Sequence, residues 1–192
     1  MSAIPLSDPN LPECKNRKGF MGPVVTRGQY EKILDMINDG MKKGAKMLYG
    51  GAALAEMRQG LYIRPTLLQI TDENVQDIWH KEIFGPVLCY QSFQTESEAV
   101  SKANDSEFGL GGAVFSQDLK RANRVVRDLR VGVTWINCSQ PAFSQLPWGG
   151  LKKSGIGRDL GKIGLESYLE SKQIVRRVVE EPWGWYDLPE SR

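Results

Sequence analysis

Apolar positions recur with helical spacing over the first patterned stretch of the chain. Thr26 is suited to cap a helix, and the apolar positions that follow it share one helical face until the pattern ends at Gly44. These positions are Tyr30, Ile33, Leu34, Ile37 and Met41. Two shorter apolar runs, at Lys46–Tyr49 and at 62–70, predict strands, and Pro65 is expected to confine the second strand to an edge or a bulge.

The middle of the chain alternates a strand pattern with a helix pattern. The strand patterns cover 87–93, 110–115 and 131–137. Thr95 and Glu98 form a capping box that opens the first intervening helix, and Ser116 is expected to cap the second. Connections of this length require parallel strands with right-handed crossovers. We therefore predict an α/β fold in which a parallel βαβαβ sheet carries helices.

The two ends of the chain lack this alternation. Residues 1–23 contain four prolines and are expected to form an extended arm, whereas residues 24–170 form the domain itself. A last helix is predicted over 158–169. The apolar run 173–179, which starts at Gln173, carries two adjacent arginines and is expected to form an exposed or subunit-pairing strand. Residues 171–192 thus comprise this strand and an aromatic tail.

Composition and charge are those of an ordinary globular protein. Of the 192 residues, 41% are hydrophobic and 25% are charged, and a formal net charge of +2 gives no reason to expect nucleic acid as a partner. No apolar stretch approaches the roughly 20 residues that span a membrane. The three cysteines, Cys14, Cys89 and Cys138, are too widely spaced to suggest a disulfide framework or a zinc site. We expect a soluble intracellular protein without a metal site, in a compartment that the sequence leaves open.

The motif KEIFGP at 81–86 is the first candidate for ligand binding. A carboxylate such as Glu82 can accept two hydrogen bonds from a ribose diol, and an aromatic ring such as Phe84 can contact a flat heterocycle. This pairing suits the nucleoside end of a cofactor. From spacing alone, a surface glutamate and a core phenylalanine are the favoured alternative.

The long loop 137–150 is the second candidate, since ligands of parallel sheets bind beyond the carboxyl ends of the strands. Phe143 and Trp148 offer aromatic surface to a cationic amine, and structural packing of both rings is an equal alternative. Cys138 could act as a nucleophile. The chain has a single histidine, His80, and no histidine lies near Cys138 in the sequence, so a small buried hydrophobic role is favoured for this cysteine.

Several motifs together resemble the C-terminal part of an NAD(P)-dependent aldehyde dehydrogenase. They are KEIFGPVL, NDSEFGLGGAVFS, WINCSQPAFSQLPWGGLKKSGIGRDLG and YLESKQIV. NCSQP followed by PWGG, together with the tail EPWGWY, is similar to the plant-type betaine-aldehyde and aminoaldehyde dehydrogenase branch. The resemblance runs from about Gly22 to Tyr186. It implies that residues 24–170 are part of a catalytic domain of this family and that 173–179 is an oligomerisation strand.

The resemblance also implies roles for individual residues. Glu82 aligns with the glutamate that holds the nicotinamide ribose hydroxyls, and Phe84 aligns with the aromatic residue that contacts the nicotinamide. Trp148 resembles the aromatic residue that surrounds the ammonium end of the substrate. Val133 falls where this branch sets the room for that end, and a stiff β-branched side chain favours primary aminoaldehydes over betaine aldehyde. The predicted substrate-binding residues are therefore Val133, Cys138, Phe143 and Trp148.

Other parts of the family's machinery have no counterpart in this sequence. The nucleophilic cysteine, the base glutamate and the Rossmann domain all precede the matching region, and Cys138 falls at a secondary position of the family. We therefore predict no catalytic residue, weak or no binding of NAD(P), and no turnover by this chain alone. A small aldehyde would bind only if an N-terminal part completed the site. The alternative is a truncated, non-catalytic relative that serves as a structural or binding subunit, with a protein partner or a homo-oligomer formed through 173–179.

Overall fold

A computed structural model of the chain describes residues 4, 6, 7, 20–51, 60–71 and 76–178. The helices are α1 (Arg27–Lys42), α2 (Gln76–His80), α3 (Glu96–Asn104), α4 (Leu119–Asp128) and α5 (Gly161–Glu166). The strands are β1 (Lys46–Tyr49), β2 (Thr66–Gln69), β3 (Val87–Tyr90), β4 (Phe108–Gly109), β5 (Gly111–Val114), β6 (Val133–Ile136) and β7 (Leu151–Lys152). Most of the predicted arm and the predicted aromatic tail lie outside the described residues.

Helix α1 begins where the sequence predicts. The Thr26 hydroxyl accepts a hydrogen bond from the Gln29 amide at 3.2 Å, which satisfies one of the free N–H groups at the helix start. The apolar face of α1 buries Ile33 and Ile37, which are 0% and 2% exposed. The predicted first helix is therefore confirmed, and its buried face covers the first sheet.

The first sheet has the order β1-β2-β3, with β1 antiparallel and β3 parallel to β2. Pro65 was expected to confine its strand to an edge or a bulge. The edge position is wrong, because β2 is the central strand, and the irregular pairing of β1 with β2 lies on β1, between Met47 and Tyr49. Pro65 immediately precedes Thr66, the first residue of β2, so the missing N–H lies outside the ladder. The hydrophobic core lies between this sheet and α1 and α2 and contains Ile33, Ile37, Ala45, Ile63, Leu68, Ile70, Ile78 and Ile83.

A second sheet pairs β5 with β6 in parallel, and α4 forms the crossover between them. The predicted capping box of α3 is present, with the Thr95 hydroxyl accepting from the Glu98 amide at 3.1 Å. The predicted cap of α4 is wrong by two residues. Asp118 caps this helix, and the Ser116 hydroxyl instead accepts a hydrogen bond from the Asp118 amide at 3.1 Å.

The α/β class is confirmed, but the predicted βαβαβ unit is divided between two sheets. Strand β3 pairs with β2, and β5 pairs with β6. Within the described residues no backbone ladder joins β3 to β5. Between α3 and β5 the chain forms β4, which pairs antiparallel with β7. This short pairing brings the far end of the 137–150 loop back onto the second sheet.

The C-terminal region departs from the predicted helix and strand. Helix α5 covers only Gly161–Glu166, because Leu160 has a left-handed φ of 63° that ends any helix extending from 158. Residues 171–178 belong to no helix or strand, and Val179 lies outside the described residues. Ile174 and Val178 are each 82% exposed. The oligomerisation strand therefore stays a prediction. None of the helices in the described part of the chain is long and apolar enough to cross a membrane.

Candidate cofactor and substrate site

Helix α1 holds the segment that contains Glu82 and Phe84. The Gln29 side-chain amide donates hydrogen bonds to the carbonyl of Phe84 at 2.8 Å and to the carbonyl of Ile83 at 3.1 Å. The Lys32 ammonium donates to the carbonyl of Glu82 at 3.4 Å. Three consecutive carbonyl groups are thus bound to one helix, which fixes the backbone of the segment. The sequence reasoning did not identify Gln29 or Lys32.

Phe84 has an unusual backbone conformation. Its φ is 61°, which an L-residue adopts at a cost of about 1 kcal/mol or more, and its side chain is 69% exposed. The next residue approaches α1 closely, because a Cβ at Gly85 would lie 2.5 Å from the Ile33 Cδ1 atom. This close contact and the bonds from Gln29 hold the strained turn. The core position that spacing favoured for Phe84 is wrong.

Glu82 lies at the wall of a cleft of about 390 Å³. Residues 79–82 line one side, and residues 108–111 with Val131 and Ser154 line the other. Among the described residues, the Glu82 carboxylate has no hydrogen bond and no ion pair. An open carboxylate two residues before an exposed aromatic residue fits the demands of a nicotinamide ribose, so the residues present are compatible with NAD(P).

Polar contacts link the two sides of this cleft. The Nε2 atom of His80, at the end of α2, lies 3.0 Å from Oδ2 of Asp105, which follows α3. Lys152 on β7 donates to the carbonyls of Asn104 and Ser106, both at 2.9 Å. These bonds fix the turn after α3. They connect α2 and β7 to the turn after α3.

The predicted substrate residues gather around β6 and the loop that follows it. Val133 and Trp135 alternate along β6 and therefore share one face of the strand. The Trp148 ring lies 6.2 Å from the Trp135 ring, centroid to centroid, with the planes at 53°. The backbone of Trp148 exchanges two hydrogen bonds with Asp159, at 2.7 and 2.8 Å. Trp135 was missed from the sequence, although its spacing of two from Val133 places both residues on one face.

The loop begins where side-chain hydrogen bonds join the ends of the parallel strands β5 and β6. The Asn137 side chain accepts from the Ser116 amide at 2.8 Å and donates to the Ser116 carbonyl at 3.0 Å. Cys138, the next residue, is exposed, so the buried role favoured for it is wrong. Phe143 is 55% exposed. None of the predicted substrate residues lines the Glu82 cleft.

The cysteines of the described region differ in environment. Cys89 lies in β3 with its sulfur 4.0 Å from the carbonyl of Ile78, and burial raises the pKa of its thiol. A thiol in this state is a poor nucleophile. Cys138 has no histidine beside it within the described residues, and Cys14 lies outside them. No group of three or more His, Cys, Asp or Glu side chains in the described ranges is arranged to hold a metal ion.

Comparison with known proteins places this chain in a family. The model of the Aldehyde dehydrogenase family matches residues 7–174, and the chain belongs to this family. It is 48% identical over 186 residues to aminoaldehyde dehydrogenase 2, peroxisomal, of Pisum sativum. It is 47% identical over 186 residues to betaine aldehyde dehydrogenase, chloroplastic, of Atriplex hortensis. These matches confirm the predicted resemblance to the plant-type branch.

The chain spans only part of these relatives. Both alignments cover 97% of this chain and 36% of the relative. A crystal structure of betaine aldehyde dehydrogenase from Staphylococcus aureus in complex with NAD+ superposes with a TM-score of 0.85 at 39% identity, over 97% of this chain and 36% of that chain. The fold described above is therefore that of about one third of such an enzyme. The compartment of this chain stays open.

Proposed function

We propose that this chain supplies the nicotinamide-binding and substrate-loop elements of an NAD(P)-dependent aldehyde dehydrogenase that acts on aminoaldehydes or betaine aldehyde. The observation that carries the proposal is the Glu82–Phe84 segment. Three bonds from α1 fix its backbone, while the Glu82 carboxylate and the Phe84 ring are left open to a ligand. The family membership and the NAD+ complex of the Staphylococcus aureus relative support the choice of ligand.

Each side chain has a definite part in this proposal. The Glu82 carboxylate accepts hydrogen bonds from the two ribose hydroxyls, and the exposed Phe84 ring limits how far the nicotinamide can move. NAD(P), when bound, accepts the hydride that leaves the substrate. Trp148 presents its ring to the cationic end of the substrate. Val133 restricts the space beside it, which favours a primary ammonium over a trimethylammonium group.

The same proposal includes the absence of turnover by the chain alone. Oxidation of an aldehyde by this family requires a thiolate that attacks the carbonyl carbon and a base that activates water. In the sequence, none of Cys14, Cys89 and Cys138 falls at the nucleophile's position. Cys89 also carries a thiol whose pKa burial raises, and Cys138 lacks a neighbouring base among the described residues.

An assay of the purified full-length chain tests this proposal. The chain is mixed with saturating NAD+ and an aminoaldehyde, and NADH is followed by its absorbance. We expect no NADH above the background without protein. Formation of NADH at a rate that thiol blocking abolishes would contradict the predicted inactivity. The Cys138→Ser and Cys89→Ser variants would then show which sulfur is responsible.

A second function follows from the exposed apolar segment before the C-terminus, in which the chain acts as a structural or binding subunit. Ile174, Val175 and Val178 are 82%, 67% and 82% exposed, which is costly for side chains that gain free energy from burial. This function predicts self-association or binding to a partner through 173–179.

Sedimentation of the chain should show a dimer or larger species at micromolar concentration. Ile174→Asp should dissociate it, whereas the control Ile156→Asp should not, and a monomeric wild-type chain would exclude self-association.

A further inference from the structure

Trp135 contacts the substrate loop at two points from a rigid position. Its backbone belongs to β6, where it lies opposite Ala113 of β5. Its indole N–H donates a hydrogen bond to the carbonyl of Pro141 at 3.0 Å, and its ring lies 6.2 Å from the ring of Trp148. A residue fixed in a sheet therefore contacts both the beginning and the end of the loop.

The strand beside β6 leaves space for this ring. A Cβ at Gly111 would lie 2.7 Å from Cζ3 of Trp135, so the indole lies directly over the Gly111 backbone. Gly111 also lines the cleft that contains Glu82. Trp135 thus lies over Gly111, a strand residue that lines this cleft, and also contacts Trp148. The candidate cofactor cleft and the candidate substrate residue are connected through this side chain.

Trp148 has a fixed backbone, and its half-buried ring contacts the ring of Trp135. Its two backbone hydrogen bonds to Asp159 hold the chain at this position. Within the described part of the chain, its indole N–H makes no hydrogen bond, and Trp135 is the aromatic ring in contact with it. The orientation of the Trp148 ring therefore depends on the side chain at position 135.

We propose that Trp135 is a positioning residue that orients the Trp148 ring and anchors the loop at Pro141. The orientation is a property of the chain itself. The further consequence, that the ring faces the ammonium end of an aldehyde substrate, rests on the proposed function. A cation is attracted to the face of an aromatic ring and not to its edge, so a ring that can rotate loses this attraction for part of the time.

Trp135→Leu removes the ring contact and the hydrogen bond, and Trp135→Phe keeps an aromatic ring without the N–H group. Trp79→Phe is the matched control, because Trp79 lies in the Glu82 cleft and is not paired with Trp148. Two tilted indoles in close contact give an exciton couplet in the far-ultraviolet circular dichroism spectrum. We expect Trp135→Leu, Trp135→Phe and Trp148→Phe to abolish the couplet, and Trp79→Phe to retain it. A couplet that survives Trp135→Leu in a folded variant would overturn the proposal.

Nuclear magnetic resonance then separates positioning from general stability. The indole ¹H and ¹⁵N signals of Trp148 should shift strongly in Trp135→Leu and return part of the way to the wild-type position in Trp135→Phe. Trp79→Phe should leave them unchanged. Equal shifts in Trp135→Leu and Trp79→Phe would show a merely structural effect and would overturn the proposal.

Titration with ethanolamine, a primary ammonium probe, tests the consequence for binding. Misorientation of one aromatic ring should weaken binding by roughly two- to fivefold in Trp135→Leu, with recovery in Trp135→Phe. Unchanged affinity in Trp135→Leu would refute the link to the ammonium end. If the wild-type chain binds no ethanolamine while the couplet still depends on Trp135, the link to the ammonium end fails for this chain and the positioning role stands.

Discussion

Phe84 combines a strained backbone with an exposed aromatic side chain, and both features are maintained by other residues. A φ of 61° is an unfavourable backbone conformation for an L-residue. Because the ring is 69% exposed, it gains little packing energy to offset this cost. The hydrogen bonds from Gln29 to the Ile83 and Phe84 carbonyls supply the missing stabilisation. Strain that is maintained by the surrounding structure at an exposed site is typical of a binding site.

Gln29→Ala tests this arrangement. Loss of two side-chain hydrogen bonds should lower the free energy of unfolding by about 1–2 kcal/mol, less a few tenths for the better helix propensity of alanine. Urea denaturation measures the change. Gln117→Ala, at an exposed position without a hydrogen bond among the described residues, should have no effect. An unchanged midpoint for Gln29→Ala would show that these bonds do not stabilise the segment.

The thiols should differ in reactivity. In a Cys14→Ser background, Cys138 should react with iodoacetamide on the order of tenfold faster than Cys89, because Cys138 is exposed and burial raises the pKa of the Cys89 thiol. Peptide mass spectrometry at a series of times gives both rates. Equal rates would mean that β3 opens as readily as the loop.

Ion pairs between charged side chains join helix α3 to helix α4. The Arg124 guanidinium donates to both oxygens of Glu96, at 2.6 and 2.7 Å. Arg121 lies 3.8 Å from the same carboxylate. Hydrogen bonds from Arg124 hold the pKa of Glu96 below its ordinary value of 4.5. This pair fixes the angle between the two helices that flank β5.

The pH dependence of stability follows from this shift. The unfolded chain takes up a proton at Glu96 near pH 4.5, before the folded chain does, so the contribution of Glu96 is present above that pH. It is lost as the pH falls through the lower pKa of the folded state. The difference in unfolding free energy between wild type and Glu96→Gln should therefore be constant near neutrality and shrink below about pH 4.5. In an Arg124→Met background this dependence should become smaller, and the remainder should come from Arg121.

Gly132 allows a close approach between elements. A Cβ there would collide with the carbonyl oxygen of Gly149, at the end of the substrate loop. Gly132→Ala should destabilise the chain by about 1–3 kcal/mol, because backbone atoms cannot move aside as a flexible side chain can. Gly28→Ala, near the start of α1 with open space around its Cβ position, should be neutral or stabilising. Thermal unfolding of both variants measures the change in stability. A Gly132→Ala variant as stable as the wild type would show that the loop end at Gly149 can shift.

Local sequence patterns predicted α1 and α3, but they did not predict which strands pair with each other. Thr26, the apolar face of α1 and the Thr95 cap are signals within a few residues, and they gave the correct helices. Glu82 and Phe84 were found through motifs, but the positive φ of Phe84 and its bonds to Gln29 depend on contacts more than 50 residues apart. The placement of β3 and β5 in different sheets likewise depends on contacts between strands that are distant in the sequence.

At the scale of the whole molecule, the described residues form three small sheets with their helices and a cleft, and they represent about one third of a larger enzyme fold. The chain covers 36% of the Pisum sativum relative and superposes on the Staphylococcus aureus structure with a TM-score of 0.85. The Glu82 cleft lies between residues 79–82, at and after the end of α2, and residues 108–111 of β4 and β5. We therefore predict that the chain binds the nicotinamide end of the cofactor weakly.

Titration of the ¹⁵N-labelled chain with NAD+ tests this claim most directly. We predict chemical-shift changes centred on residues 82–84, with an affinity in the millimolar range, or roughly 4 kcal/mol. Glu82→Gln should abolish them, whereas Glu166→Gln, at an exposed position on α5, should not. Micromolar affinity, or shifts that are centred elsewhere and unaffected by Glu82→Gln, would contradict the account.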